Sequence, residues 1–330
     1  MITTALLFFP LVVGLLLFLL KGETVKKVAL GASIVEFLLG VVAFVNFNKG
    51  NGLPQYELNI PWIKSLGINF HIGMDGISLL LVGLTTFLLP LIILAANRNS
   101  YKNTTNLYAL MLLMQFGLIG VFTAQDAFLF YIFWEVALIP IYFIALLWGG
   151  EQKVKITFKF FIYTLAGSLL MLVGLIFVYF QTPAPHSFSL TSLYELELTN
   201  GTQSWLFWLF FFAFAIKMPV FPFHSWLADT YTDAPTPGTM LLSGIMSKMG
   251  VYGAIRLLLP IVPQGMMEWG PLAITLAIIG VLYASLMAMY QKDYKRLIAY
   301  SSAAHVGLIA AGVFSLTHNG MVGGVIQMVA

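Results

Sequence analysis

The sequence predicts an all-α, polytopic membrane protein with about ten complete transmembrane helices and the start of an eleventh. Three observations carry that prediction. Hydrophobic residues make up 60% of the 330 and charged residues 9%. Apolar runs of roughly span length recur along the whole chain, and basic residues collect in every second connection. A soluble domain is about a quarter charged, because it must present a hydrated surface. Sixteen basic and thirteen acidic residues cannot cover this chain, and its solvent is mostly lipid. A net charge of +3 without a single basic patch gives no argument for a nucleic-acid partner, and none is expected. The absence of cysteine excludes disulfides, thiolate-held iron–sulfur clusters and thiol nucleophiles.

A span needs roughly 20 mostly apolar residues. Such runs lie near 2–20, 26–46, 75–96, 106–124, 127–148, 157–181, 204–223, 237–258, 268–289 and 297–316. The first, MITTALLFFPLVVGLLLFLLKGE, has no basic start and no small-residue cleavage site, so it reads as a retained span rather than a signal peptide. Residues 53–73 alternate apolar and polar around Ile68, Phe70 and Ile72, the pattern of a small hairpin on the outer surface. Residues 182–202 are polar and read as an outer connection. The last apolar run begins at Met321 and reaches only Ala330, too short to cross, so the chain reads as C-terminally incomplete.

Orientation follows from charge. With the N-terminus outside, the inner connections hold Lys21, Lys26, Lys27, Arg98, Lys102, Lys153, Lys155, Lys159, Lys292, Lys295 and Arg296, eleven of the sixteen basic residues. Lys49, Lys64 and Arg256 fall outside or at span ends. That asymmetry satisfies the positive-inside rule, and one span more or fewer early in the chain would scramble it.

Three ionisable residues fall near the middle of spans: Glu135, Lys217 and Lys248. Intramembrane charges are expensive, face the bundle interior and mark ion or proton paths. A desolvated lysine gives up its proton more readily, and a nearby carboxylate reverses that, so Glu135 with Lys217 makes a proton-transfer device. A static buried ion pair, or a Lys217 that snorkels from a helix ending at Pro219, remains open. Pro219 and Pro222 have no N–H, which predicts a break in the helix after Lys217, with the carbonyls of Ala215 and Met218 freed. Broken helices are common at transporter ion sites. Pro140, five residues after Glu135, is expected to loosen that helix too.

His305 lies in the tenth span beside Ser301 and Ser302, as a proton relay or a packing group. His224 and Asp229 come after the prolines as a possible inner-side relay. Other chemistries find no support. GIMSKMG lacks Walker spacing, and the five histidines form no i, i+4 pair with an acid, so neither a phosphate loop nor a metal site is expected. Gly250 and Gly253 have the spacing that lets helices approach closely.

The blocks GMDGISLLLVGLTTFLLPLIIL, FLFYIFWEVALIPIYFIALLWGG, FAIKMPVFPFHSWLADTYTDAPTPGTMLLSGIMSKMGVYG and RLIAYSSAAHVGLI resemble the antiporter-like subunits of proton-pumping NADH:quinone oxidoreductase, complex I, and the subunit M type among them. The resemblance implies an antiporter-like inverted-repeat fold with a broken helix at 204–230. Within a single membrane domain it implies three N-terminal helices over 1–96, a first five-helix repeat over 106–258 and an incomplete second repeat over 268–330. It also implies a proton-translocating subunit, part of a translocase, in the bacterial inner membrane beside paralogous complex I subunits. No redox site or cofactor is expected in this chain. NADH, FMN, iron–sulfur clusters and quinone would belong to partner subunits. By the same resemblance Glu135 modulates a pump lysine, Lys217, Lys248 connects toward the centre of the subunit, and His305 lies on its polar axis. A related cation/proton antiporter, a membrane-bound hydrogenase subunit and a structural scaffold with static ion pairs are the alternatives.

Overall fold

The computed structural model describes residues 2–330. The chain opens with α1 (Ile2–Leu17) and α2 (Glu23–Val45), then an antiparallel hairpin of β1 (Gln55–Ile63) and β2 (Ile68–Met74). Three long helices come after it: α3 (Gly76–Asn97), α4 (Thr104–Thr123) and α5 (Ala127–Trp148). Next come α6 (Lys153–Gln181), the short α7 (Leu190–Tyr194), α8 (Asn200–Lys217) and α9 (Leu227–Asp233). From Thr236 to Ile261 the chain is helical throughout, as α10 (Thr236–Leu241), α11 (Ser247–Gly253) and α12 (Leu259–Ile261), joined by π-helical turns at Leu242–Met246 and Ala254–Leu258. It finishes with α13 (Pro263–Met289), α14 (Tyr294–Phe314) and α15 (His318–Val329).

The expected all-α class is what the chain adopts, and the 53–73 segment is a hairpin in which Leu58 pairs with Ile72 and Ile60 with Phe70. The expected count of ten spans is not confirmed by length and composition: among the described residues seven helices, α2 to α6 with α13 and α14, are long and apolar enough to cross a membrane. The other three runs differ for local reasons. The 2–20 run yields a helix of 16 residues, the 204–223 run stops being helical at Lys217, and the 237–258 run is divided by π turns.

By internal contacts the chain divides into two compact units, residues up to Lys153 with Ala234–Ile245, and Val154–Asp233 with Met246–Ala330. In the first, α4 is buried on nearly every side, with α1, α2, α3 and α5 around it. Small residues set these approaches. A Cβ at Gly117 would lie 2.8 Å from the backbone nitrogen of Ala137, and the Phe133 ring occupies the space a side chain at Gly120 would need. Asp126 caps α5 by accepting from Phe128 N and Leu129 N, each at 3.0 Å, and also accepts from Asn69 N of the hairpin at 3.2 Å. Burial pushes its carboxyl upward, against the pull of those N–H groups. One carboxylate thereby starts a helix and docks the hairpin.

In the second unit α13 and α14 form a long pair, with α8 against α13 and α15 against α14. Gln203 and Ser204, at the start of α8, take Gln264 N at 2.7 Å and the Trp269 indole N–H at 2.7 Å. These bonds hold the start of α8 to α13, and the opposite end carries the lysine.

Candidate functional site

Lys217 is the last residue of α8, 2% exposed, and its Nζ is buried. The helix stops there because Pro219 and Pro222 cannot continue the ladder. Met218 N still donates to Phe214 O at 2.8 Å. The Ala215 carbonyl, expected to be freed by Pro219, instead accepts from Val220 N at 2.9 Å, one residue further along than an α-helix would place it. The Ile216 carbonyl accepts from the indole N–H of Trp226 at 3.0 Å. Two carbonyls at the break are therefore satisfied, as a carbonyl remote from water requires. Nothing in the sequence pattern singled out Trp226. Its indole is buried, packed on Phe160 with ring centroids 5.0 Å apart, and pins the returning chain to the end of α8.

Lys248 lies in α11, which packs against α8. Glycine makes that approach possible, as the Gly250/Gly253 spacing predicted. A Cβ at Gly250 would lie 2.8 Å from Met218 N and 3.0 Å from Phe214 O, and one at Gly253 would enter the Phe214 ring. Lys248 is thus carried by a helix seated on the last turns of the helix that carries Lys217. π-helical turns on both sides of α11 were not foreseen. Such bulges recur at functional sites and re-aim the side chains around them.

Glu135 belongs to the first unit. Phe133 and Ala137 face α4, and two residues on an α-helix turn through about 200°, so Glu135 points away from α4. The residue is half-buried, and its Oε1 is buried with no hydrogen-bond partner among the described residues. Pro140, expected to loosen α5, does not end it: the helix runs through to Trp148.

The remaining predicted residues lie in the second unit. His224 is off the α8 helix, because that helix has ended. Its ring stacks on Phe221 at 5.5 Å and meets the edge of Tyr283 at 4.8 Å, and its Nδ1 is buried without a hydrogen-bond partner among the described residues. Asp229, in α9, accepts from Lys159 of α6 and Arg296 of α14, each at 3.2 Å. Lys159 also donates to Ser225 O at 2.8 Å, and Lys295 to Thr232 O at 3.1 Å. This cluster ties the returning segment to two long helices. His305 is exposed on α14 and lines, with Ser285 and Ser301, a pocket of about 350 Å³ between α13 and α14.

Sequence reasoning also missed Glu36. It lies inside α2 at 0% exposure, and neither carboxyl oxygen has a hydrogen-bond partner among the described residues. The run VALGASIVEFLLGVVAFV held the signal, a lone acid in the middle of an apolar span. Among the described residues no group of three or more His, Cys, Asp or Glu is arranged to hold a metal ion.

Comparison with known proteins adds to this geometry. The transmembrane family described as NADH:quinone oxidoreductase/Mrp antiporter matches residues 124–330, more than half of the chain. This chain belongs to that family. The likeness also reaches the N-terminal helices. NADH-quinone oxidoreductase subunit M of Rickettsia conorii is 38% identical over 334 residues, covering 98% of this chain and 67% of the relative. Subunit M of Rhodobacter capsulatus is 39% identical, covering 92% and 61%. Among solved structures, a chain of respiratory complex I from Thermus thermophilus matches all of this chain and 68% of its own length, at TM-score 0.91 and 31% identity. The sulfane sulfur reductase membrane complex, at 24% identity and TM-score 0.87, shares the fold. Membership in the NADH:quinone oxidoreductase/Mrp antiporter family makes the chain a multi-pass integral membrane protein of antiporter-like fold.

Proposed function

We propose that this chain is a proton-translocating, antiporter-like membrane subunit of an NADH:quinone oxidoreductase, with Lys217 as the group that takes up and releases the proton. The observation that supports this most is the position of Lys217: buried, at the last helical residue before the break, with the helix bearing Lys248 seated on the same turns. A buried ammonium is stabilised by a carboxylate and destabilised by its loss. Glu135 supplies that control, and Lys248 and His305 carry the proton onward along the polar axis. His224 and Asp229 serve the inner-side entrance. In this reading residues 1–96 are an N-terminal group, 106–258 a first repeat and 268–330 part of a second. The N-terminus is outside a bacterial inner membrane, paralogous subunits are the neighbours, and NADH oxidation and quinone reduction belong to other subunits.

The test uses the assembled complex in sealed vesicles. Lys217→Ala and Glu135→Gln are expected to leave complex content normal and to lower the protons moved per NADH oxidised. Loss of a group that transfers a proton slows its step on the order of 10²-fold or more. Unchanged proton movement in an assembled Lys217→Ala complex would reject the proposal in favour of a scaffold with static charges.

A further inference from the structure

The stripe of α2 that faces the protein is made of Ala29, Ala32, Ser33, Glu36, Gly40 and Ala43, while Val35, Leu38 and Val42 on the other side are 44–55% exposed. Glu36 therefore points inward, among small residues that bring α2 close to its neighbours. Those neighbours are α1, α3 and α4. Neither α1 nor α3 contains an ionisable residue, and α4 contains only Tyr108, whose hydroxyl donates to Asn97. On α2 itself, Lys26 pairs with Glu23 at 2.8 Å. Lys27 is nine residues before Glu36, roughly 13 Å along the axis. No cation on the packed helices can meet this carboxyl.

The nearby hydroxyls do not fill the role either. Ser33 donates to Leu30 O at 2.8 Å, Thr85 to Leu81 O at 2.7 Å and Thr86 to Gly83 O at 3.1 Å, all within their own helices. A second buried group matches Glu36. Both amide atoms of Gln115, on α4, are buried and have no hydrogen-bond partner among the described residues. Gln115 is thus a second buried polar group without a partner among the described residues, on a helix that α2 packs against. A carboxylate in such a place takes a proton rather than stay charged.

We propose that Glu36 is a proton-holding site outside the residues assigned to translocation, kept as a neutral carboxylic acid.

The assembled complex in native membranes provides the test. Wild-type minus Glu36→Gln infrared difference spectra at neutral pH are expected to show the carbonyl band of a protonated acid; carboxylate bands in its place would overturn the proposal. Glutamine is neutral and of the same size, so Glu36→Gln should assemble at the wild-type level. Loss of assembly in that variant would mean that the charge is required, and would overturn the proposal as well.

Discussion

Asp229 holds Lys159 and Arg296 at 3.2 Å each, on side chains that are about one third exposed, and so joins three helices at one carboxylate. Its sequence position, just after the proline break, suggested a relay. Its geometry makes it also a tie, because both oxygens are taken by cations. Exposed pairs of this kind contribute about 0.2–1 kcal/mol each, and less at high salt. Asp229→Asn is therefore expected to leave the fold intact and to speed hydrogen exchange in α9, by no more than the loss of two such pairs. Exchange unchanged at low salt would mean that the pairs contribute nothing. Lys217 differs in kind: its burial could be guessed from the apolar run around it, whereas the hydrogen bond from Trp226 to the end of its helix could not. The indole reaches back ten residues across a break, and no periodicity records such a bond.

The element that decides the site is the seat of α11 on α8. Gly250 and Gly253 were legible as a close-packing pair, because only small residues allow backbones to approach. Their partner, the Phe214–Met218 turn, was not legible, since a spacing shows that a helix approaches something and not what it meets. Gly253→Leu would drive a side chain into the Phe214 ring. Overpacking of this sort costs about 1–3 kcal/mol. The variant should lower the thermal stability of the purified subunit or complex, and it should lower proton movement more than Gly201→Ala, which has open space around it. Prolines show the same limit. Pro140 and Pro219 both interrupt hydrogen-bond ladders, yet α5 continues through the first while α8 ends before the second. The end of α8 has two features that α5 lacks at Pro140: a second proline three residues on, at Pro222, and the Trp226 indole donating to a carbonyl of the last turn.

For the whole molecule, orientation is the property that charge alone can set. The chain has no cysteine, so single substitutions at exposed connections report the side directly. Asn51→Cys is expected to react with a membrane-impermeant maleimide added outside, and Asn99→Cys only after the membrane is opened. The reverse pattern would invert the proposed topology. Hydropathy and the placement of lysines and arginines determined the membrane class and the approximate limits of most helices, because lipid excludes charge along about twenty residues at a time. The same local patterns marked Glu135, Lys217 and Lys248 as costly and hence meaningful. Tertiary structure alone decided that α11 sits on the end of α8, that Asp126 serves hairpin and helix together, and that Glu36 is enclosed without a cation. These outcomes depend on contacts between residues far apart in the chain, and a local pattern carries no record of the partner.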